Sequence, residues 1–375
     1  MTFRVQPGYL DGYALQVGRA GSDAIAVRSY LEKHPAPAGH GEGALICLLG
    51  PGHARALESA LGAIDRASGV LLSSKSGLNS AASYYRWTDT TAAARMDRSL
   101  PAPRSAAHDT PLEQAWADDP CGPSFNDRFD PSDRLTGSMD VEYSHPLGFM
   151  DNLSISHWAL VGFDAVFGFN PLERITSEVV GDWQAVAQSG VAFGHAAQAV
   201  HDIGYNLQGG AIALRGGWEG AAAEQAYAHF SRTASSLAEL QDPFAEMSAE
   251  LGEIAHGVWS SCEALSGIVK MLLDKAIIAG ISAAAGTATA TSGIGPVIGY
   301  GVAALQVVDM LRLWGQATKM ISNLYTAVQG ALGVIESQIA RIDAVSLPNA
   351  ASYHHPFVPQ HPQARPDVPI NAGGR

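Results

Sequence analysis

The sequence predicts an all-α protein made of two helical-hairpin units, the second an elongated antiparallel helical bundle. Three observations carry that prediction. Tyr13, Val17, Ala20, Ala24, Val27 and Leu31 step by four and three, which sets them on one stripe of a helix. From Val179 to Leu214 the same alternation runs with only apolar residues or Gly in the stripe. Between Leu214 and Phe230 the stretch LRGGWEGAAAEQAYAHF interrupts the beat, which then resumes, so two long arms turn back on each other about a glycine-rich break.

Residues 1–98 read as the first hairpin. Its first helix stops at HPAPAGHGEG, ALICLLG supplies about two apolar turns, and Pro51 with Gly52 resets the chain. A second helix, from about His53 to Arg98, presents Leu57, Leu61, Ile64, Leu71, Leu78, Ala82 and Tyr85. Residues 99–140, rich in Pro, Asp and Ser and without a sustained period, have the composition of a disordered linker. Residues 141–174 are dense in aromatics and are expected to dock on a surface.

Residues 175–345 are the bundle. Its first stripe is Val179, Trp183, Val186, Gly190, Phe193, Ala197, Val200, Gly204, Leu207, Ala211 and Leu214. After the break come Phe230, Leu237, Leu240, Phe244, Met247, Leu251, Ile254 and Val258, with Pro243 implying a kink or a short interruption. A last stripe of Leu311, Trp314, Ile321, Tyr325, Val328, Leu332, Ile335, Ile339 and Ile342 closes the bundle. Residues 276–308 carry no charge, but they are mostly Ala, Gly, Thr and Ser and SGIGP divides them into halves short of a span. A tightly packed hairpin is the favoured reading there, with membrane insertion the alternative. Residues 346–375 form a Pro-rich tail expected to be disordered.

Composition excludes several functions. Net charge is −13 with 23 basic residues, and no basic cluster is interleaved with aromatics, so no nucleic-acid surface is expected. Cys47, Cys121 and Cys262 are widely separated and lack CxxC spacing, which indicates neither a disulfide framework nor a zinc site. The first residues have no basic region leading into an apolar one, so a general secretory signal is not expected, and the chain stays inside or leaves by another route. No GxGxxG follows a strand, and there is no Walker loop, HExxH or GxSxG. His201 with Asp202, and His354 with His355, lack convergent ligands, so neither an enzyme nor a cofactor is expected.

The break itself reads as a hairpin turn. Gly216 and Gly217 are expected to end the helix in left-handed backbone angles, Trp218 to cover the core at the tip, and Gly220 to let the chain enter the next helix closely packed. Glu219 reads as a solvated turn residue. Few core layers lie near the end of a rod, so Trp218 is expected to contribute less to stability than a fully buried aromatic.

Trp218, Glu219 and Gly220 between two patterned arms resemble the Trp-x-Gly family of type VII (ESX) secretion substrates, which are helix-turn-helix hairpins. In that family the export signal is a Tyr followed four residues later by an acid. Tyr85 with Asp89, in YYRWTD, is the match here, and a spacing of four on a helix sets phenol and carboxylate on one face. The stretch AASYYRWTDTTAAARMD resembles the terminal helix of Esp-type secretion-associated proteins, a likeness covering residues 1–98. Residues 145–345 resemble the trunk of larger actinobacterial type VII effectors, in which a toxin domain commonly follows; here a short Pro-rich tail follows, so no toxin domain is expected.

The resemblance implies a non-enzymatic substrate or carrier, made in the cytoplasm and secreted or displayed at the surface, with the membrane ATPase of that system as partner. Tyr85 and Asp89 would be its address. Trp218 and Gly220 would shape the tip and complete a composite recognition surface, with the address helix of this chain or of a helical-hairpin partner. The alternative is a membrane-active protein that inserts residues 276–308.

Overall fold

A computed structural model describes residues 3–35, 43–100, 110–137, 139, 156–288 and 295–349, and the described part is all-α except for one short strand pair. Helix α1 (Pro7–Glu32) opens on Pro7, which has no N–H to leave unpaired in a first turn, and it buries the whole stripe from Tyr13 to Leu31. Helix α2 (Ala44–Trp87) runs antiparallel to it, since Asp11 meets Arg86 at one end and Arg28 meets Asp65 towards the other.

Two expectations for this hairpin are corrected. Pro51 does not reset the chain but lies inside α2. It removes one backbone hydrogen bond, and the burial of Leu45, Ile46 and Leu49 before it and Ala56 and Ala60 after it holds the helix through. The second helix also does not reach Arg98. It stops at Trp87, Thr88 is extended, and a separate helix α3 (Thr90–Ser99) follows.

Helices α4 (Pro111–Ala117) and α5 (Pro131–Leu135) occupy the region expected to be a linker. That expectation is corrected for the described residues 110–137, which form a strap packed on the bundle. Trp116 is buried and stacked on Tyr205 at 4.6 Å, its indole N–H donating to the Tyr205 carbonyl at 2.7 Å. Phe125 fills the notch that Gly12 leaves on α1, where a Cβ would come within 2.7 Å of its ring. Buried Asn206 accepts from the N–H groups of Arg128 and Phe129 and donates to the Phe129 carbonyl, so its amide is satisfied by strap backbone.

Helices α6 (His157–Phe167) and α7 (Pro171–Val179) come from the aromatic segment, whose residues 141–155 lie outside the described residues. α6 crosses helix α10 (Gln241–Ala288) where Gly162 faces the Ala276 carbonyl and Gly280 faces that of Trp158, positions at which a Cβ would overlap backbone. Helix α8 (Trp183–Leu214) buries the ten positions of the stripe from Trp183 to Leu214, while the first, Val179, is buried at the end of α7, so the stripe runs across a break between the two helices. Helix α9 (Ala221–Glu239) returns antiparallel to it, Gly204 lying against Ala234 and Gln208 bonding Tyr227. Leu240 separates α9 from α10, and Pro243 falls in the first turn of α10, the interruption that its position implied.

Helix α11 (Gly295–Ala344) folds back along α10, with Lys275 paired to Asp309 at 2.7 Å and Arg341 to Asp242 at 3.6 Å. Its seam runs on Met310, Ala317, Leu324 and Ala331 with Ile321, Val328, Ile335 and Ile342, two sets of sevenfold spacing. Leu311 sits one position past that seam and is exposed, which corrects its place in the closing stripe. The connection 289–294 and the tail from 350 lie outside the described residues, as do the side chains of 285–302, so most of the apolar hairpin 276–308 is not described. No helix among the described residues is long and apolar enough to cross a membrane.

The first hairpin is not a separate unit from the bundle. Tyr13 donates to the Leu207 carbonyl at 3.0 Å, Gln16 to that of Asn206 at 3.1 Å, and the buried residues of α1, α2, α8, α9, α10 and α11 belong to one continuous core.

Candidate functional site at the Trp218 turn

The turn between α8 and α9 is built by three segments distant in sequence. Strand β1 (Arg4–Val5) pairs antiparallel with strand β2 (Trp218–Glu219), Val5 opposite Trp218, and the Gln6 N–H donates to the Gly217 carbonyl at 2.8 Å. Arg4 donates to the Gly216 carbonyl at 2.8 Å and pairs with Glu219 at 2.6 Å. Glu219, expected to be merely solvated, thus closes a surface ion pair over the turn.

The glycines act differently from expectation. Positive φ is not found at Gly216 or Gly217; among the described residues it occurs at Gly122, Gly168 and Gly220. α8 ends instead on backbone bonds from Gly216 to Ala213 and from Gly217 to Leu214. Gly217 is required because a Cβ there would overlap the Tyr9 ring. Gly220 is required twice over: its φ is +137°, where side chains are strained, and a Cβ would fall 2.5 Å from the Asp97 carboxylate.

Asp97 explains the closeness at Gly220. As the residue preceding α9, Gly220 has no side chain with which to cap it. The Asp97 carboxylate, 6% exposed, does so from α3: one oxygen accepts from the Ala221 N–H and the other from the Ala222 N–H, each at 2.8 Å. An anion at a helix N-terminus meets both the unpaired N–H groups and the positive end of the helix dipole.

Trp218 is 1% exposed, which corrects the expectation of a lightly packed tip residue. The first hairpin supplies the missing core layers: Tyr85 meets the indole edge-on at 6.0 Å, and Phe3 lies tilted against Tyr85 at 6.1 Å. The Tyr85 phenol is pushed well above its ordinary range, by burial first and then by the Asp97 carboxylate, while the neighbouring Trp218 indole opposes the shift.

Tyr85 and Asp89 are not side by side on one helical face, because α2 ends between them. Tyr85, 8% exposed, faces inward. Asp89 starts α3, accepting from the N–H groups of Thr91 at 2.9 Å and Ala92 at 3.1 Å. The two are linked through structure instead: Asp89 fixes the start of α3, α3 carries Asp97 to α9, and α9 begins beside the indole that Tyr85 covers. Between them Trp87 is 89% exposed, an indole held out at the corner of α2 and α3.

Asp97, Tyr9, Arg4 and Trp87 were not singled out in the sequence. Asp97 left one trace, since it lies four residues after buried Ala93 on the same helical face, an acid in an apolar position. Trp87 left none, falling off the stripe of its helix. The other suspected pair has a structural role: buried Asp202 is held by Arg134 of the strap at 2.7 Å, with His201 at 3.5 Å. His354 and His355 lie outside the described residues, among which no group of three His, Cys, Asp or Glu is placed to hold a metal ion.

Residues 181–258 match the family model WXG100, proteins of 100 residues with WXG. That span holds α8, the turn, α9 and the first part of α10. No curated protein and no solved structure matches the chain.

Proposed function

We propose that this protein is a non-enzymatic substrate of a type VII secretion system, made in the cytoplasm and exported to the medium or the cell surface, with the membrane ATPase of that system as partner. The observation that carries the reading is the contact of Tyr85 with Trp218 at 6.0 Å. It joins the Tyr-x-x-x-Asp segment to the Trp-x-Gly turn, which itself lies in the stretch that matches the WXG100 model. The first hairpin then stands where a separate helical-hairpin partner would, consistent with the Esp-type likeness of residues 1–98.

The burial of Tyr85 and Trp218 assigns them a shaping role in this reading. They hold α2, α3 and the turn in one geometry, and the surface offered to a receptor is the corner that carries Trp87 and Asp89. The test is secretion of the full chain into culture medium with and without a working type VII ATPase. Loss of the protein from the medium in the ATPase-deficient strain, at equal cellular level, is the expected result; equal export in both strains overturns the proposal.

A further inference from the structure

An open groove lies between α7 and α11, beside the turn that joins α6 to α7. Gly168 ends α6 at φ +72°, in the left-handed region that favours glycine. The turn brings Phe167 and Phe169 together at 5.7 Å, and they meet Trp314 of α11 at 5.9 and 5.4 Å. Asn170 then caps α7, and Asn170, Glu173, Arg174 and Ser177, spaced by three and four, share the helical face that looks onto Trp314. With Phe169 and Trp314 they line a cavity of about 580 Å³. An aromatic wall with a few polar groups at fixed places is the usual make-up of a small-ligand site.

The groove carries one charge of each sign. Arg174 is tied at one nitrogen to the Glu178 carboxylate at 3.2 Å, and the other oxygen of Glu178 accepts from the Tyr325 hydroxyl. Glu178 is largely buried, whereas the Arg174 side chain is 66% exposed, so the pair braces the guanidinium at the rim and leaves further donors of its fork open to a ligand. Glu173 is oriented from within α7, one oxygen accepting from the Asn170 amide at 3.1 Å. The rings of Trp314 and Phe169 stand at 65° to each other, two sides of a corner, and aromatic faces attract cations.

Apolar surface continues beyond the cavity. Leu311, three residues before Trp314, is exposed, as are Val308 and Leu305 at the next two steps of three. Residues three apart form a ridge on a helix, so an apolar strip about 14 Å long leads away from the groove along α11. Its charged neighbour Asp309 is already paired with Lys275. A small polar zwitterion would leave this strip bare, and a net charge of −13 disfavours a purely anionic ligand.

We propose that the groove binds a single-chain lipid with a phosphocholine head, one molecule at a time. The Arg174 fork takes the phosphate, as a planar guanidinium does well. The trimethylammonium sits in the corner of Trp314 and Phe169 beside the Glu173 carboxylate. The acyl chain follows Leu311, Val308 and Leu305, where its burial adds to the affinity in proportion to the apolar area removed from water. Binding is non-covalent and independent of the export reading.

Isothermal titration of the full chain with dodecylphosphocholine, below its micellar concentration, should show one site. Dodecyl phosphate lacks the ammonium, dodecyltrimethylammonium lacks the phosphate and free phosphocholine lacks the chain, so each should bind more weakly. Arg174→Gln should weaken dodecylphosphocholine about 10-fold, the scale of a hydrogen bond to a charged group, and spare dodecyltrimethylammonium. Glu173→Gln should weaken it about 3-fold and spare dodecyl phosphate, and Trp314→Leu should weaken it about 3-fold. Leu15→Gln, at an exposed leucine of α1, should change nothing. Thermal melts by circular dichroism check that each variant folds; should Trp314→Leu not fold, the two charge variants decide. Equal affinity for the three amphiphiles, or an unchanged response in Arg174→Gln, means adsorption to apolar surface and overturns the proposal. Free phosphocholine binding as tightly as dodecylphosphocholine overturns the lipid assignment. A concentration-dependent dimer that Trp314→Leu dissociates, with no lipid bound, gives the groove to a second copy and overturns it as well.

Discussion

Replacing Asp97 by alanine removes the acceptor of two N–H groups in a place closed to water. A buried N–H left without a partner costs about 1–3 kcal/mol, and loss of a helix cap costs about 0.5–2 kcal/mol. These figures describe the same atoms and do not add in full, so the expected destabilisation is about 2–4 kcal/mol. The second carboxylate at the turn provides the comparison. Glu219 pairs with Arg4 at 2.6 Å, but both side chains are substantially exposed. An exposed pair contributes about 0–1 kcal/mol, so Glu219→Gln should barely register. Asp97→Asn keeps one acceptor oxygen and should fall between the two. Urea unfolding of the three variants gives the energies, and hydrogen exchange at the Ala221 and Ala222 amides localises the effect. If Asp97→Ala and Glu219→Gln cost the same, or if those amides stay fully protected without the carboxylate, the account of α9 capped from α3 is refuted.

Trp218→Ala should cost about 3–5 kcal/mol, as for a fully buried aromatic, and should abolish export; urea unfolding and secretion on one variant check both. Gly220→Ala should be destabilising well beyond the effect of Gly257→Ala on α10, where a Cβ meets nothing within 4 Å, and parallel thermal melts of the two compare them. Asp89→Ala should cost about 0.5–2 kcal/mol through its cap on α3 and should reduce export, measured as the ratio of protein in medium to protein in cells. Trp87→Ala should leave stability within about 0.5 kcal/mol of the parent, as for exposed positions, while lowering that export ratio; normal export would remove Trp87 from the surface that is read.

Periodicity carried most of the fold. The stripes of α1 and α8 were legible position by position because a long amphipathic helix repeats one decision many times. The strap was not. Residues 110–137 hold themselves down through single acts, Trp116 in the space beside Gly209 and Asn206 on strap backbone, and such contacts have no period to detect. Tyr85, Trp218 and Gly220 were visible as a motif, yet the argument that set Tyr85 and Asp89 on one face assumed an unbroken helix. Asp89 is itself what makes the break, since a short acid that bonds the N–H groups two and three residues on starts a new helix. The depth of Trp218 was illegible for another reason: the layers that bury it come from residues 3 and 85, and local sequence around a turn does not announce what packs on it from so far away.

The pairing of β1 with β2 has a consequence of a different kind. Two hairpins made as separate polypeptides must find each other by diffusion, and they separate when the surroundings are diluted. Here the meeting is unimolecular. A tether between modules sets local concentrations of order mM for short flexible links, whatever the abundance of the protein in the cell. The ratio of the two hairpins is locked at one to one by synthesis as one chain, and a hairpin in trans must compete against a neighbour that dilution does not remove.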